Sequence, residues 1–268
     1  MARLPISFLL AFGMRSRMLS RCPDGLLSSD RVLTLTRDQR QTSRRMTNGL
    51  PRLAVRSLGV VSYPEALKVQ QDLVSARQAG TVRDQLLLLE HPAVITVGAS
   101  GRRYPEHLLA SRVELRRLGI TVHNVSRGGD MTYHGPGQLV GYSVLDLKPD
   151  RCDVHRYVRD LEEVLIRAVA VFGVQAMRVD GMTGVWVGGE KLAAIGVRLS
   201  RWVTSHGFAL NLSTNLDHFR LIVPCGLSGR GVTSLERLTG VRPIRTDVEK
   251  VVAAEFAAVF GRSICSVD

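Results

Sequence analysis

Residues 127–138 read RGGDMTYHGPGQ. Four glycines and one proline in this stretch leave no room for the interior of a helix or of a regular strand. Glycine accepts positive φ and lets a ligand approach bare backbone, and Pro136 fixes one dihedral. Apolar, strand-like runs flank the stretch at 120–125 and 139–147. It is longer than a plain turn needs, and it carries Arg127, Tyr133, His134 and Gln138. A glycine-rich loop of this kind between two strands reads as the wall of a binding site. Neither GxGxxG nor GxxxxGK[ST] is present, which excludes the dinucleotide fingerprint and the P-loop.

Working outward, residues 53–58 read as a short strand and 63–78 as a helix ended by Gly80. Residues 85–90, QLLLLE, form a continuous apolar run of the kind a fully buried strand carries. Residues 94–97 resume the strand pattern, and 108–118 read as an arginine-bearing helix closed by Gly119. The clearest helix spans 153–172, where Tyr157, Leu161, Val164, Leu165 and Ala168 recur at three- and four-residue steps. Asp153 can cap its first turn and Gly173 can close it. Gly188-Gly189 between two apolar runs signals a two-residue hairpin, and 203–212 supplies another strand. A capping box from Thr246 and Glu249 opens a last helix, which Gly261 ends. Helices alternate irregularly with strands and hairpins, so the expected class is α/β with a mixed sheet, not a doubly wound parallel one.

The chain has 268 residues, 45% of them hydrophobic, which suits a globular domain with a sizeable core. No run approaches the roughly 18 apolar residues that a membrane span needs. The net charge is +12, but residues 1–45 hold nine arginines against Asp24, Asp30 and Asp38, so half of the excess sits in that segment. The remainder is spread out without basic runs interleaved with aromatics. That pattern argues against a nucleic-acid partner and equally suits steering toward an acidic protein. Residues 1–45 lack a clean cleavage site for secretion. They read either as an Arg- and Ser-rich mitochondrial transit peptide or as an over-long extension before a start at Met46, and in both readings as a disordered leader to a single domain over 46–268. The cysteines Cys22, Cys152, Cys225 and Cys265 form no CxxC pair, which argues against a zinc site or a disulfide framework. A reducing compartment follows: the cytoplasm, or the mitochondrial matrix if the leader is a transit peptide.

Taken alone, Cys225 in Ile222-Val223-Pro224-Cys225-Gly226 reads as an inert core thiol, and Lys191 beside its glycine turn as a solvated one. His134 and His206 could each partner a catalytic cysteine in a papain-like arrangement.

RGGDMTYHGPGQLVGYSVLDL, GVWVGGEKLAAIGVRL, TSHGFALNLSTNL and IVPCGLSGRGVTSLE together resemble, in order, the motifs of the lipoate-biosynthesis octanoyltransferases, or lipoyl(octanoyl) transferases. The resemblance runs from about Leu53 to Phe260. Ser143 departs from the family's usual proline and Ile95 from its usual aromatic, and both departures bear on packing.

The resemblance implies the fold of biotin and lipoate protein ligase catalytic domains. It makes Cys225 the acyl-accepting nucleophile and Lys191 its partner, a cation that stabilises the thiolate and moves protons. It implies an acyl-binding wall of Arg127, Gly128, Gly129, Asp130, Met131, Thr132, Tyr133 and His134, with Ala194, Ile195 and Gly196, and with Gly207, Phe208 and Ala209. His134 and His206 then become pocket-shaping hydrogen-bonders. The implied donor is octanoyl-acyl carrier protein. The implied acceptors are lipoyl domains of 2-oxoacid dehydrogenase complexes and the glycine-cleavage H protein. No cofactor, neither metal nor nucleotide, is expected, and neither nucleic acid nor membrane is an expected partner. An ATP-dependent lipoate ligase of the same fold and a basic nucleic-acid-binding protein are the alternatives.

Overall fold

The computed structural model describes residues 49–149, 151–223 and 230–265. Cys22, the leader over 1–45 and Cys225 lie outside the described residues. Strand β1 (Arg52–Val60) is followed by helix α1 (Tyr63–Gln78), β2 (Asp84–Glu90) and β3 (Val94–Val97). Next come α2 (Arg112–Arg117), β4 (Thr121–Asn124), β5 (Met131–His134), β6 (Gln138–Val144) and α3 (Val154–Ala170). Strands β7 (Met177–Val179), β8 (Met182–Val187), β9 (Glu190–Ser200) and β10 (Val203–Asn211) precede α4 (Leu235–Thr239), α5 (Arg245–Phe260) and β11 (Ser263–Cys265).

Among the described residues the strands form two sheets. The larger has eight strands in the order β11-β1-β2-β6-β10-β9-β8-β7, and the smaller has three in the order β4-β3-β5. Strand β1 is parallel to β11 and β2, whereas β2, β6, β10, β9, β8 and β7 pair antiparallel in succession. The sheet is therefore mixed, as the sequence pattern requires. None of the described helices is long and apolar enough to cross a membrane.

The run QLLLLE is apolar throughout because β2 is covered on both faces. Leu86 and Leu88 join the core under α3 and α5, and Leu87 and Leu89 join the one under α1. Helix α3 buries Tyr157, Leu161, Val164, Leu165 and Ala168, and the Asp153 side chain accepts the Arg156 N–H at its start. Gly188 and Gly189 both have positive φ, +55° and +87°, as a tight hairpin between β8 and β9 demands.

Three local expectations are corrected. Residues 131–134 are not loop: they form β5, antiparallel to β3, with every residue buried. The glycines bend the chain on either side, at Gly129 (φ +83°) and Gly137 (φ +80°). The helix expected over 108–118 shortens to α2. Leu109 and Ala110 give their N–H groups to the Leu221 carbonyl instead, and Ser111 caps the shorter helix through the Glu114 N–H. Helix α5 starts at Arg245 without a capping box. Glu249 pairs instead with Arg245 at 2.7 Å and accepts the Ser57 hydroxyl at 2.7 Å, which ties the helix to β1.

Candidate active site

Sheet register brings two of the three predicted wall segments together, and the cavity they line adds residues of the third. Across β9 and β10, Gly196 faces Gly207, Ile195 faces Phe208 and Ala194 faces Ala209. Gly207 in turn lies opposite Tyr142 of β6. A cavity of ≈ 40 Å³ sits on these residues, with Arg127, Gly129, Thr132 and His134 contributed by the loop and β5. Strand alternation sorts the rest of that segment. Thr132 and His134 point to the cavity, whereas Met131 and Tyr133 point into a separate cluster with Ile95, Phe219 and Ile222. Met131 and Tyr133 are therefore not part of the cavity lining.

Tyr63, Tyr142 and His206 complete the lining. His206 holds a left-handed backbone (φ +59°) inside a strand, a costly conformation for a non-glycine residue, and its N–H donates to Gln70 Oε1 at 2.8 Å. Burial lowers its pKa to about 4, helped by Arg127 and Arg198, so the ring is neutral at physiological pH. The Tyr63 hydroxyl is buried with no hydrogen-bond partner among the described residues, and desolvation pushes its pKa up to about 12.

A polar network fixes the wall from behind. The Arg127 guanidinium donates to the Thr96 carbonyl and hydroxyl through Nη2, both at 2.8 Å. His134 Nδ1 lies 2.8 Å from Gln138 Oε1, and Gln138 Nε2 donates to Asn211 Oδ1 at 2.9 Å and to the Tyr133 carbonyl at 3.2 Å. Because Gln138 uses its amide as donor elsewhere, its oxygen must accept, and His134 carries its proton on Nδ1. Burial, with like charge from His91, lowers the His134 pKa to about 3. The network runs on from Asn211 Nδ2 to the Thr233 carbonyl at 2.9 Å.

A wider cleft of ≈ 780 Å³ adjoins the cavity, and Gly129, Ile195 and Gly196 line both. Gly128, Asp130 and Lys191 line the cleft. Lys191 is buried, with Nζ 4.8 Å from the centre of the Trp186 ring. Its stem passes Gly184, where a Cβ would come within 3.5 Å of Lys191 Cε and 2.6 Å of the Ala193 carbonyl oxygen. Glu162, fully buried on α3, accepts the Gly184 N–H at 3.0 Å and holds β8 in place. The Lys191 backbone donates to the Gly231 carbonyl and accepts the Thr233 N–H, at 2.9 and 3.0 Å. On the opposite flank, the Val223 N–H donates to the His107 carbonyl at 2.8 Å. Both described flanks of residues 224–229, the segment that holds Cys225, are thus fastened to residues that line this cleft.

Residues 62–257 match the family model of the lipoyl protein ligase A/B catalytic domain. The chain is 52% identical over 206 residues to the octanoyltransferase of Solibacter usitatus, covering 77% of this chain and 92% of that relative. It is 49% identical over 212 residues to the octanoyltransferase of Caldicellulosiruptor saccharolyticus, covering 78% and 89% respectively. The chain belongs to the octanoyltransferase family. As an octanoyltransferase it is an acyltransferase enzyme of protein lipoylation. The fold is likewise that of lipoate ligases: lipoate-protein ligase A bound with ATP aligns with a TM-score of 0.62 at 16% identity, over 82% of this chain and 90% of that one. The Thermoplasma acidophilum lipoate protein ligase gives 0.59 at 16% identity, over 82% and 88%.

The two positions expected to depart from the family pattern are both fully buried. The Ser143 hydroxyl lies 2.6 Å from the Tyr157 hydroxyl under α3, and Ile95 is fully buried in the smaller sheet's core. Sequence reasoning missed Tyr63 and Tyr142 in the lining, and it missed His107. No local signal marks Tyr63, which opens a helix. Tyr142 lies inside a quoted motif, and strand parity relative to Gln138 could have placed it on the cavity face.

Proposed function

We propose that the enzyme carries out a two-step acyl transfer from octanoyl-acyl carrier protein to a lysine of a lipoyl domain. Lipoyl domains of 2-oxoacid dehydrogenase complexes and the glycine-cleavage H protein are the acceptors. In the first step the Cys225 thiolate attacks the thioester carbonyl, and the carrier thiolate leaves with a proton from Lys191. In the second, the acceptor amine attacks the octanoyl-cysteine, Lys191 takes back a proton, and the Cys225 thiolate is released. Backbone N–H groups of the glycine-rich wall hold the oxyanion, and losing one such donor typically costs roughly 3 kcal/mol of barrier. No ATP enters, because the donor thioester already carries the driving force.

One observation carries this reading: a buried lysine in a cleft that opens directly onto a glycine-walled cavity, with both flanks of the cysteine segment fastened at the rim. The acyl tail would enter the cavity and the thioester would remain in the cleft. Mass spectrometry after incubation with octanoyl-acyl carrier protein is expected to show one added octanoyl group, released by hydroxylamine. Cys152→Ala and Cys265→Ala should retain the adduct and Cys225→Ala should lose it. An adduct that persists in Cys225→Ala refutes the assignment, and transfer that consumes ATP favours a ligase.

A further inference from the structure

The acceptor lysine reaches the enzyme as an ammonium, with an ordinary pKa near ~10.4. Forming an amide removes two of its protons. One must leave before the nitrogen has a lone pair with which to attack, and the other leaves as the C–N bond forms. In the mechanism above, Lys191 can take only one, the counterpart of the proton that it gave to the carrier thiolate. A second base in the cleft would supply the acceptor for that first proton.

His107 is built as one. It lines the cleft that Lys191 also lines, and its side chain is one-fifth exposed. Its Nδ1 lies 2.6 Å from Asp130 Oδ2, and Asp130 Oδ1 accepts the Met131 N–H at 2.7 Å, so both carboxylate oxygens are fixed. A carboxylate can only accept, so Nδ1 faces it with a proton, and the lone pair of that tautomer falls on Nε2. Nε2 has no hydrogen-bond partner among the described residues. The ring also stacks on Tyr104, with centroids 5.1 Å apart and planes 20° from parallel. Gly101 keeps the pair in register, since a Cβ there would meet Asp130 Oδ1 at 2.5 Å. Among the described residues, the titratable groups that share the cleft with His107 are Asp130, Tyr104 and Lys191. The His107 carbonyl meanwhile accepts the N–H of Val223, the described residue that precedes 224–229.

We propose that His107, oriented by Asp130, is the base that neutralises the incoming acceptor ammonium. The ammonium N–H bond breaks and its proton passes to His107 Nε2. The Asp130 carboxylate balances the resulting imidazolium, which returns the proton to solvent through the open cleft. The free amine then attacks the octanoyl thioester. This assignment rests on the acyl-enzyme reading above and adds a second acid–base group to it.

The test uses the full chain, charged with octanoyl-acyl carrier protein and then chased with a lipoyl domain in single turnover. His107→Asn keeps an N–H for Asp130 but has no base. It should still form the octanoyl-enzyme, and transfer to the lipoyl domain should slow by about 10²-fold at neutral pH. The deficit should shrink as pH rises toward the acceptor's own pKa. Hydroxylamine, which is already neutral near pH 7, should discharge the variant and the parent octanoyl-enzyme equally fast. Transfer to the lipoyl domain at the parent rate, or an equal loss with hydroxylamine, overturns the proposal. If His107→Asn does not fold, Asp130→Asn carries the same test: it keeps an oxygen for Nδ1 but no charge, and parent-like transfer overturns the proposal. A parent enzyme that forms no octanoyl-cysteine refutes the underlying two-step reading instead, so the two failures are distinguishable.

Discussion

Acid should destabilise this enzyme through His134, and the size of the effect can be worked out. In the unfolded chain the imidazole titrates near 6.5, whereas in the fold burial and neighbouring positive groups hold it at about 3. Between these values the unfolded chain binds a proton that the folded chain refuses, so stability falls as pH falls. The loss begins near pH 6.5 and continues toward pH 3, at up to about 1.4 kcal/mol per pH unit. By pH 5 this one group should have cost roughly 2 kcal/mol, and at pH 7.5 almost nothing. His206, held at about 4, and His91, lowered by burial, add in the same direction. Urea unfolding at pH 7.5, 6 and 5 measures the slope for the parent and for His134→Gln, which removes the titrating ring. The variant should be less stable at pH 7.5, because it loses the bond to Gln138. Its stability should also fall less steeply with acid, by up to one proton's worth. Equal slopes in parent and variant would refute the reasoning, since a ring that protonates freely in the fold cannot drive the loss.

Three further outcomes are expected. Lys191→Met keeps an apolar stem beside Gly184 but loses the cation over Trp186; iodoacetamide should alkylate Cys225 more slowly at neutral pH, and octanoyl transfer should fail more severely than alkylation. Unchanged rates would make Lys191 a packing residue. Gly207→Ala places a Cβ onto the Gly141 carbonyl oxygen of the neighbouring strand, a backbone contact that cannot give way cheaply, so thermal unfolding should show a loss of about 1–3 kcal/mol together with weaker acyl-enzyme formation. An unaltered melting temperature would contradict that contact. A chain beginning at Met46 should melt and turn over as the full chain does, and a large drop in melting temperature would overturn the reading of residues 1–45 as a leader outside the domain.

Most elements were legible where one signal dominated. QLLLLE could only be a strand covered on both faces, and the α3 stripe, with Asp153 before it and Gly173 after it, fixed that helix to within two residues at each end. The misreadings share a physical cause, a distant partner that outcompeted the local pattern. Residues 108–110 have helical periodicity, but their backbone is claimed by Leu221 and Ile222 more than a hundred positions away. Thr246 and Glu249 have the spacing of a capping box, yet Glu249 is worth more to the fold as a buried bridge between Arg245 and Ser57. Residues 131–134 looked like loop because two of the four are polar and glycines surround them. Their strand character comes from pairing with Val94–Val97, and their polarity from facing the cavity.

The candidate site shows the same division more sharply. The small residues at 194–196 and 207–209 stood out in the motifs, and register explains their size. Gly207 must clear the Gly141 carbonyl, and Gly196 must clear the Arg127 side chain, whose Cδ would lie 3.0 Å from any Cβ there. What sequence could not convey is that three departures from ordinary backbone and side-chain practice meet on one surface. A histidine in the left-handed region, a buried tyrosine hydroxyl with no partner among the described residues and a lysine folded onto an indole all line the joined cavity and cleft. Each is held by its neighbours: the His206 amide by Gln70, Tyr63 by packing on Val94, Val125 and Leu67, and the strand that carries Trp186 by Glu162 through Gly184. A scaffold that spends stability on one concave surface is one in which local sequence rules fail where chemistry is done. His107 follows the same logic. Its ring is neither core nor solvated surface, and its fixed partner Asp130 comes from the glycine-rich stretch that first marked the site.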